Sequence, residues 1–146
     1  MIGSVMDKLT LPAVLASLAE LRRYAREAAA AAGIEEERSY QLQLAVDEIA
    51  TNIISYGYKD AGPMAQIVIG GEITADVLII TLEDHAPAFD PRTRQMPDDD
   101  ELSKPLEERT IGGLGIYLAM EGVDRFDYRR EGERNLNIFE MRRRNG

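Results

Sequence analysis

Apolar residues at helical spacing predict two consecutive helices in the first part of the chain. Between residues 14 and 32 they recur three or four positions apart, which predicts a helix with Pro12 in its first turn and Gly33 as its C-terminal cap. The acidic residues at 35–37 favour the N-terminus of a second helix, because carboxylates are stabilised there. Gly57 is predicted to end that helix.

Runs rich in valine and isoleucine predict strands in the rest of the chain. Residues 66–71 and 77–82 form two of them, and residues 124–130 and 135–142 form a hairpin around the turn sequence EGE. Residues 4–10 are a candidate for a short first strand. Because short turns join strands that follow each other in the sequence, the sheet is expected to be mixed and mostly antiparallel.

The order of these elements predicts the fold class. Strands and helices do not alternate throughout, which argues against a doubly wound sheet. We expect an α+β two-layer sandwich, with the helices on one face of the sheet. A length of 146 residues suits a single domain over residues 1–146 with a sizeable core.

A long polar stretch, residues 92–110, separates the second strand pair from the first. It has few apolar residues and two prolines, so it is either a disordered loop or a functional lid. The glycine-rich sequence TIGGLGIYLAMEGV follows, with a helix predicted to start near Leu114. Neither reading of the stretch is favoured by its composition alone.

Composition narrows the function classes. The chain has no cysteine and one histidine, which excludes disulfides, thiolate chemistry and a histidine-rich metal site. Seventeen basic against 26 acidic residues, a net charge of −9, argue against nucleic-acid binding. No apolar run approaches the roughly 20 residues that span a bilayer, and no apolar signal segment follows Lys8. We therefore expect a cytoplasmic protein with no membrane partner.

Glu48 and Asn52 are the first candidate functional residues. At about 100° per residue, positions four apart share one stripe of the second helix, beside its apolar face. A carboxylate in such a pair can act as a general base, and an amide oxygen can ligate Mg²⁺. The alternative is a surface helix whose polar residues line up without a function.

Two further candidates lie at element ends. The glycines of GGLG expose backbone N–H groups before a helix, which suits phosphate, although neither a P-loop nor a dinucleotide fingerprint is present. The alternative is an ordinary turn. Asp84 ends an apolar strand, so its carboxylate needs hydrogen-bond donors. Those donors are either the exocyclic amine of a purine or local backbone N–H groups.

Four segments together resemble a known family. AVDEIATNIISYGY, EDHAPAFDP, GGLGIYLAMEGVDRFDY and NLNIFEM occur in the order found in the GHKL ATPase superfamily, which has the Bergerat fold. Within it the chain is more similar to the anti-sigma factor serine kinases, a small stand-alone bacterial branch. The resemblance runs from the first helix to the last strand.

The resemblance implies a role for each candidate. Glu48 would match the acidic residue that activates the attacking hydroxyl, and Asn52 the Mg²⁺ ligand that bridges to the triphosphate of ATP. Asp84 would accept a hydrogen bond from the adenine amino group. A lid at about residues 92–111 would close over ATP. The phosphate-binding positions would be Gly112, Gly113, Leu114 and Gly115.

The chain departs from the family pattern at two positions. Ala86 stands in the cofactor-binding loop where glycine is usual, and it suits that position only if its φ is negative. Tyr56 stands where many relatives carry histidine. His85 matches no essential position, and we expect it to face solvent or the mouth of the pocket.

The function implied by the resemblance is that of a protein serine/threonine kinase with ATP and Mg²⁺. Its substrate would be a STAS-type anti-anti-sigma protein, it would also bind a sigma factor or a similar regulator, and homodimers are common in the resembling family. The alternative is a partner-binding module with weak or no kinase activity, in which nucleotide acts as a conformational signal.

Overall fold

Six strands and two helices lie wholly within the described part of the chain, and residues 119–121 are also helical. The computed structural model describes residues 3–58, 61–93 and 119–143. The helices are α1 (Leu18–Ala31) and α2 (Glu36–Asn52). The strands are β1 (Ser4–Val5), β2 (Leu9–Pro12), β3 (Gln66–Ile73), β4 (Val77–Asp84), β5 (Arg125–Glu131) and β6 (Arg134–Arg142). Shorter helical turns lie at Leu15–Ser17, Ile53–Gly57 and Pro91–Thr93.

The strands form one sheet in the order β1-β3-β4-β6-β5, and β2 also pairs with β3. Every strand pair within the described residues is antiparallel, so the parallel pairs that a mixed sheet would contain are not seen there. The α+β class is confirmed. β4 lies between β3 and β6, which brings its last residue next to the start of β6.

One face of the sheet is apolar and carries both helices. In β4 every second residue is buried, and the residues between them are partly exposed. The register places Ile80 opposite Phe139 and Leu78 opposite Met141, so the buried residues of β4 and β6 share that face. Leu21 of α1 and Leu42 of α2 pack into the same core. The predicted two-layer arrangement follows from this packing.

The predicted start of α1 is wrong. Pro12 is the last residue of β2, where it pairs with Gln66, and α1 begins only at Leu18. Proline is tolerated at this place because β2 is an edge strand, whose outward N–H groups need no partner in the sheet. The candidate first strand at residues 4–10 is two separate strands, β1 and β2.

The end of α1 follows the prediction. Gly33 has φ +74°, and the N–H of Ile34 donates to the carbonyl of Ala29 at 2.9 Å. This backbone pattern is the Schellman cap, in which glycine takes the left-handed conformation. Ile34 is buried in the core, so the cap also fixes the path from α1 into α2.

No helix among the described residues is long and apolar enough to cross a membrane.

Replacing Gly33 by alanine is expected to lower the free energy of unfolding by about 1–2 kcal/mol, since a Cβ is strained at positive φ. Gly62→Ala is the matched control, because Gly62 also has open space around it but no positive φ. That variant should change stability by less than about 1 kcal/mol, in the stabilising direction. Urea denaturation measures both, and equal destabilisation by the two substitutions would contradict the cap.

Candidate functional site

A cavity of about 270 Å³ opens between the C-terminal part of α2 and the loop that follows β4. Its walls include apolar side chains from both sides, among them Ile49, Ile53 and Phe89. Four polar side chains converge on the same space: Asn52, Asp84, Asn135 and Asn137. A largely apolar cavity with a few convergent polar groups is typical of a small-molecule site.

Asp84 is the most buried polar group of this cavity, with 1% of its surface exposed. Its Oδ1 accepts hydrogen bonds from Asn135 Nδ2 at 2.8 Å and from the N–H of Ala86 at 2.9 Å. Its Oδ2 is buried and has no hydrogen-bond partner among the described residues. Burial raises the pKa of this carboxyl, and the hydrogen bonds from Asn135 and Ala86 oppose that rise. Asp84 therefore retains one acceptor for a ligand.

Asn135 fixes the carboxylate and the loop after it. Besides Asp84, its Nδ2 donates to the carbonyl of Ala86 at 2.9 Å. Its Oδ1 accepts from the hydroxyl of Tyr128 and from Arg130 Nη1, the latter at 3.2 Å. Asn135 makes all of these hydrogen bonds inside the protein, since only 3% of its surface is exposed. The side chain thus ties β5 and β6 to the end of β4.

Ala86 meets the condition set by the sequence. Among the described residues only glycines have positive φ, so the alanine is not strained. Its N–H bonds to Asp84, and its carbonyl also accepts from Arg130 Nη1 at 3.0 Å. A Cβ built on Gly57 would lie 3.1 Å from the Cβ of Ala86, so the helical turn after α2 and this loop are in close contact. A larger side chain at either position would displace the other.

Glu48 and Asn52 are brought together as the helical spacing predicts. Asn52 Nδ2 donates to the backbone carbonyl of Glu48 at 2.7 Å and lies 3.4 Å from Glu48 Oε1. Asn52 lines the cavity, whereas Glu48 lines an adjoining cleft that includes Ala119 and Gly122. Burial raises the pKa of Glu48, the Asn52 amide opposes the rise, and the charge of Asp47 adds to it.

The donor set around Asn52 suits a cation only together with a ligand. No cluster of three or more His, Cys, Asp or Glu residues able to hold a metal occurs within residues 3–58, 61–93 and 119–143. The nitrogen of the Asn52 amide is engaged by its own helix, which leaves the oxygen for a cation. A Mg²⁺ ion with one or two protein ligands and several phosphate or water oxygens fits this arrangement.

Several predicted site positions lie outside the described residues. These are Gly112, Gly113, Leu114 and Gly115, together with the lid from residue 94 onward. Their roles stay predictions. His85 is exposed, as expected, and its backbone N–H donates to the hydroxyl of Tyr58 at 2.6 Å. Tyr56 is 44% exposed and lines the cavity.

Sequence reasoning missed Asn135 and Asn137 as site residues. Both lie on the buried face of β6, where the alternating pattern otherwise places Phe139 and Met141. The sequence does indicate them, because two polar residues on an apolar strand face require hydrogen-bond partners or a ligand. Only the pairing of Asp84 with Asn135 in the sheet shows that this face meets the end of β4.

Comparison with known proteins identifies the family. The family model described as "Histidine kinase-like ATPase domain" matches residues 11–142. The serine-protein kinase RsbW of Bacillus cereus strain AH187 is 31% identical over 121 residues, which cover 80% of this chain and 72% of that protein. The serine-protein kinase RsbW of Listeria innocua serovar 6a is 30% identical over 97 residues, covering 66% of this chain and 61% of that protein.

A solved structure supports the fold. The histidine kinase domain of the blue-light-activated histidine kinase EL346 from Erythrobacter litoralis aligns with a TM-score of 0.50 and 17% identity. The alignment covers 91% of this chain and 62% of that one. The chain therefore belongs to the GHKL family of histidine kinase-like ATPase domains, and the serine-protein kinases RsbW are among its relatives.

Proposed function

We propose that this protein binds ATP in the cavity beside Asp84 and transfers the terminal phosphoryl group to a serine or threonine hydroxyl of a partner protein. The observation that carries the proposal is the buried, unpartnered Oδ2 of Asp84 in an otherwise apolar cavity. A buried acceptor of this kind is costly unless a ligand supplies a donor. The amino group of adenine is such a donor, and Ile49, Ile53 and Phe89 offer apolar surface to its ring.

The α2 side of the cavity would hold the triphosphate. The oxygen of Asn52 is the group we assign to Mg²⁺, since its amide nitrogen is already bonded to Glu48. Bound Mg²⁺ would supply charge neutralisation on the phosphates during transfer. The positions Gly112, Gly113, Leu114 and Gly115, with the lid at residues 92–111, complete the proposed phosphate site on the strength of the family resemblance.

Glu48 is the residue we assign as general base. It would take the proton of the attacking hydroxyl while the hydroxyl oxygen bonds to the γ-phosphorus. The bond from that phosphorus to the β–γ bridging oxygen breaks, and ADP leaves. Glu48 is one helical turn from Asn52 and opens on an adjoining cleft, a placement that suits approach of the acceptor from the protein's exterior.

The proposed acceptor is a STAS-type anti-anti-sigma protein, and we propose a sigma factor or a similar regulator as a second partner. The support is the resemblance to anti-sigma factor serine kinases and the likeness to proteins named serine-protein kinase RsbW. We also propose that this protein forms a homodimer and that it is located in the cytoplasm.

The alternative, a partner-binding module with weak or no kinase activity, depends on Ala86 and Tyr56, the two departures from the family pattern. Ala86 takes no positive φ, and its backbone groups are bonded to Asp84, Asn135 and Arg130, so the alanine does not distort the loop. Tyr56 lines the cavity without filling it. The kinase proposal is therefore the one that the geometry supports better.

Glu48→Gln is expected to slow phosphoryl transfer about 10²- to 10⁴-fold, because the base is lost while shape is kept. ATP binding should be nearly unchanged. The measurement is transfer of labelled phosphate from Mg-ATP to candidate STAS proteins, with calorimetry for binding. Glu37→Gln is the control, an exposed glutamate at the start of the same helix. Transfer by Glu48→Gln at the control rate would refute the assigned base.

Asp84→Asn is expected to weaken ATP binding about 10- to 100-fold, since an amide N–H₂ would replace the accepting Oδ2. Calorimetry with ATP measures the loss. Glu83→Gln is the matched control: Glu83 is the neighbouring residue of β4, its side chain is bonded to Arg134 at 2.7 Å, and it does not line the cavity. Equal affinities in the two variants would contradict the assigned adenine contact.

The stability of Asp84→Asn relative to wild type should depend on pH. Because burial raises the pKa of Asp84, the folded state holds this proton more tightly than the unfolded state. Ionisation therefore lowers wild-type stability as pH rises from the ordinary aspartate pKa of 3.8 to the raised one. The asparagine variant lacks this loss. The stability of the variant minus that of wild type, measured by denaturation without nucleotide, should therefore increase between the two pKa values and level off above them. A difference that does not change with pH would contradict the raised pKa of Asp84.

A further inference from the structure

Asn137 is the second residue of the cavity with a buried oxygen that lacks a partner. It is 2% exposed, and its Oδ1 makes no hydrogen bond to any residue that the structure describes. Within the described residues, Asp84 Oδ2 and Asn137 Oδ1 are the only buried side-chain nitrogen or oxygen atoms in this condition. Both residues line the same cavity. Two orphaned acceptors in one place indicate a ligand with more than one donor.

The sheet register places these two side chains within reach of one group. Asp84 is opposite Asn135, and Leu82 is opposite Asn137, so Asp84 and Asn137 are diagonal neighbours on the helix-facing side. Diagonal neighbours on adjacent antiparallel strands are about 7–8 Å apart, so a ligand group that lies between these two short side chains can contact both. Asn135 does not compete for the role, because its own amide is fully engaged.

The surroundings of Asn137 give no structural reason for an amide. Its partner in β4 is Leu82 and the next inward residue of β6 is Phe139, both buried and apolar. Its partner in β5 is Tyr128, whose hydroxyl donates to Asn135. An apolar side chain of similar volume would fill this place without leaving a polar atom unpaired. A buried amide oxygen at such a position requires a hydrogen-bond donor, and a bound ligand is one source of it.

We propose that Asn137 is a specificity-determining residue that reads the exocyclic amine of the bound purine together with Asp84. One N–H of a primary 6-amino group donates to Asp84 Oδ2, and the other donates to Asn137 Oδ1. The proposal rests on the proposed function, because it requires ATP in this cavity. It extends that function by assigning a second, separate acceptor to the base.

The two acceptors together predict a preference among purines. Adenine carries a primary amine at position 6 and satisfies both oxygens. Guanine carries a carbonyl oxygen there, which would face two acceptors and satisfy neither. A site that hydrogen-bonds a substrate group discriminates strongly against an analogue that lacks it, because the site's buried polar groups are then left unpaired.

The test compares ATP with purine riboside triphosphate, which lacks the 6-amino group, on wild type and on Asn137→Leu. Wild type is expected to prefer ATP about 100-fold, and the variant to prefer it only about tenfold, since one of two hydrogen bonds to the amine is lost. Calorimetry gives the four affinities. Met141→Leu, on the same buried face of β6 but outside the cavity, is the control and should keep the wild-type preference.

The outcomes separate this inference from the proposed function. If wild type binds neither nucleotide, both fail. If wild type binds ATP and Asn137→Leu weakens the two nucleotides equally, Asn137 only shapes the cavity and this inference alone is overturned. Should the variant not fold, wild type with N6-methyl-ATP decides: a ligand with one remaining N–H is expected to bind about tenfold more weakly than ATP. Equal binding overturns the inference.

Discussion

The site is organised around one buried carboxylate that is only half satisfied. Asp84 ends the central strand β4 with one oxygen held by two donors, while the other has no partner in the described part of the chain. Burial of such a group is unfavourable, and the structure compensates on one side only. Asn135, itself held by Tyr128 and Arg130, stabilises the bonded oxygen, so the remaining oxygen is kept in place. The hydrogen bond from Asn135 therefore both fixes the position of the carboxylate and leaves its second oxygen to be satisfied by a ligand.

The parts of the fold that depend on local pattern were predictable. Helical spacing and β-branched runs located α2 with the helical turn after it, and β3 to β6, to within a few residues, and Gly33 located the end of α1. The start of α1 was not predictable, because Pro12 suits both a first helical turn and an edge strand. Pairing with Gln66 decides between them, and that contact joins segments more than fifty residues apart.

The residues of the candidate site were also only partly predictable from the sequence. Glu48 and Asn52 followed from spacing on one helix, and Asp84 followed from its position at the end of an apolar strand. Asn135 and Asn137 depended on the register between β4 and β6, which the sequence does not reveal. The structure also separates the environments of Glu48 and Asn52, with one facing a cleft and the other the cavity. One helix thereby serves two adjoining spaces.

The π-helical turn at Ile53–Gly57 affects how sequences in this family are compared. It is closed by the bond from the N–H of Tyr58 to the carbonyl of Ile53, and it holds one residue more than an α-helical turn. A chain shorter by one residue here would regain regular helix and rotate the following side chains by about 100°. An insertion or deletion in this segment thus brings a different residue to the place where Tyr56 lines the cavity, even when the flanking amino acids are identical.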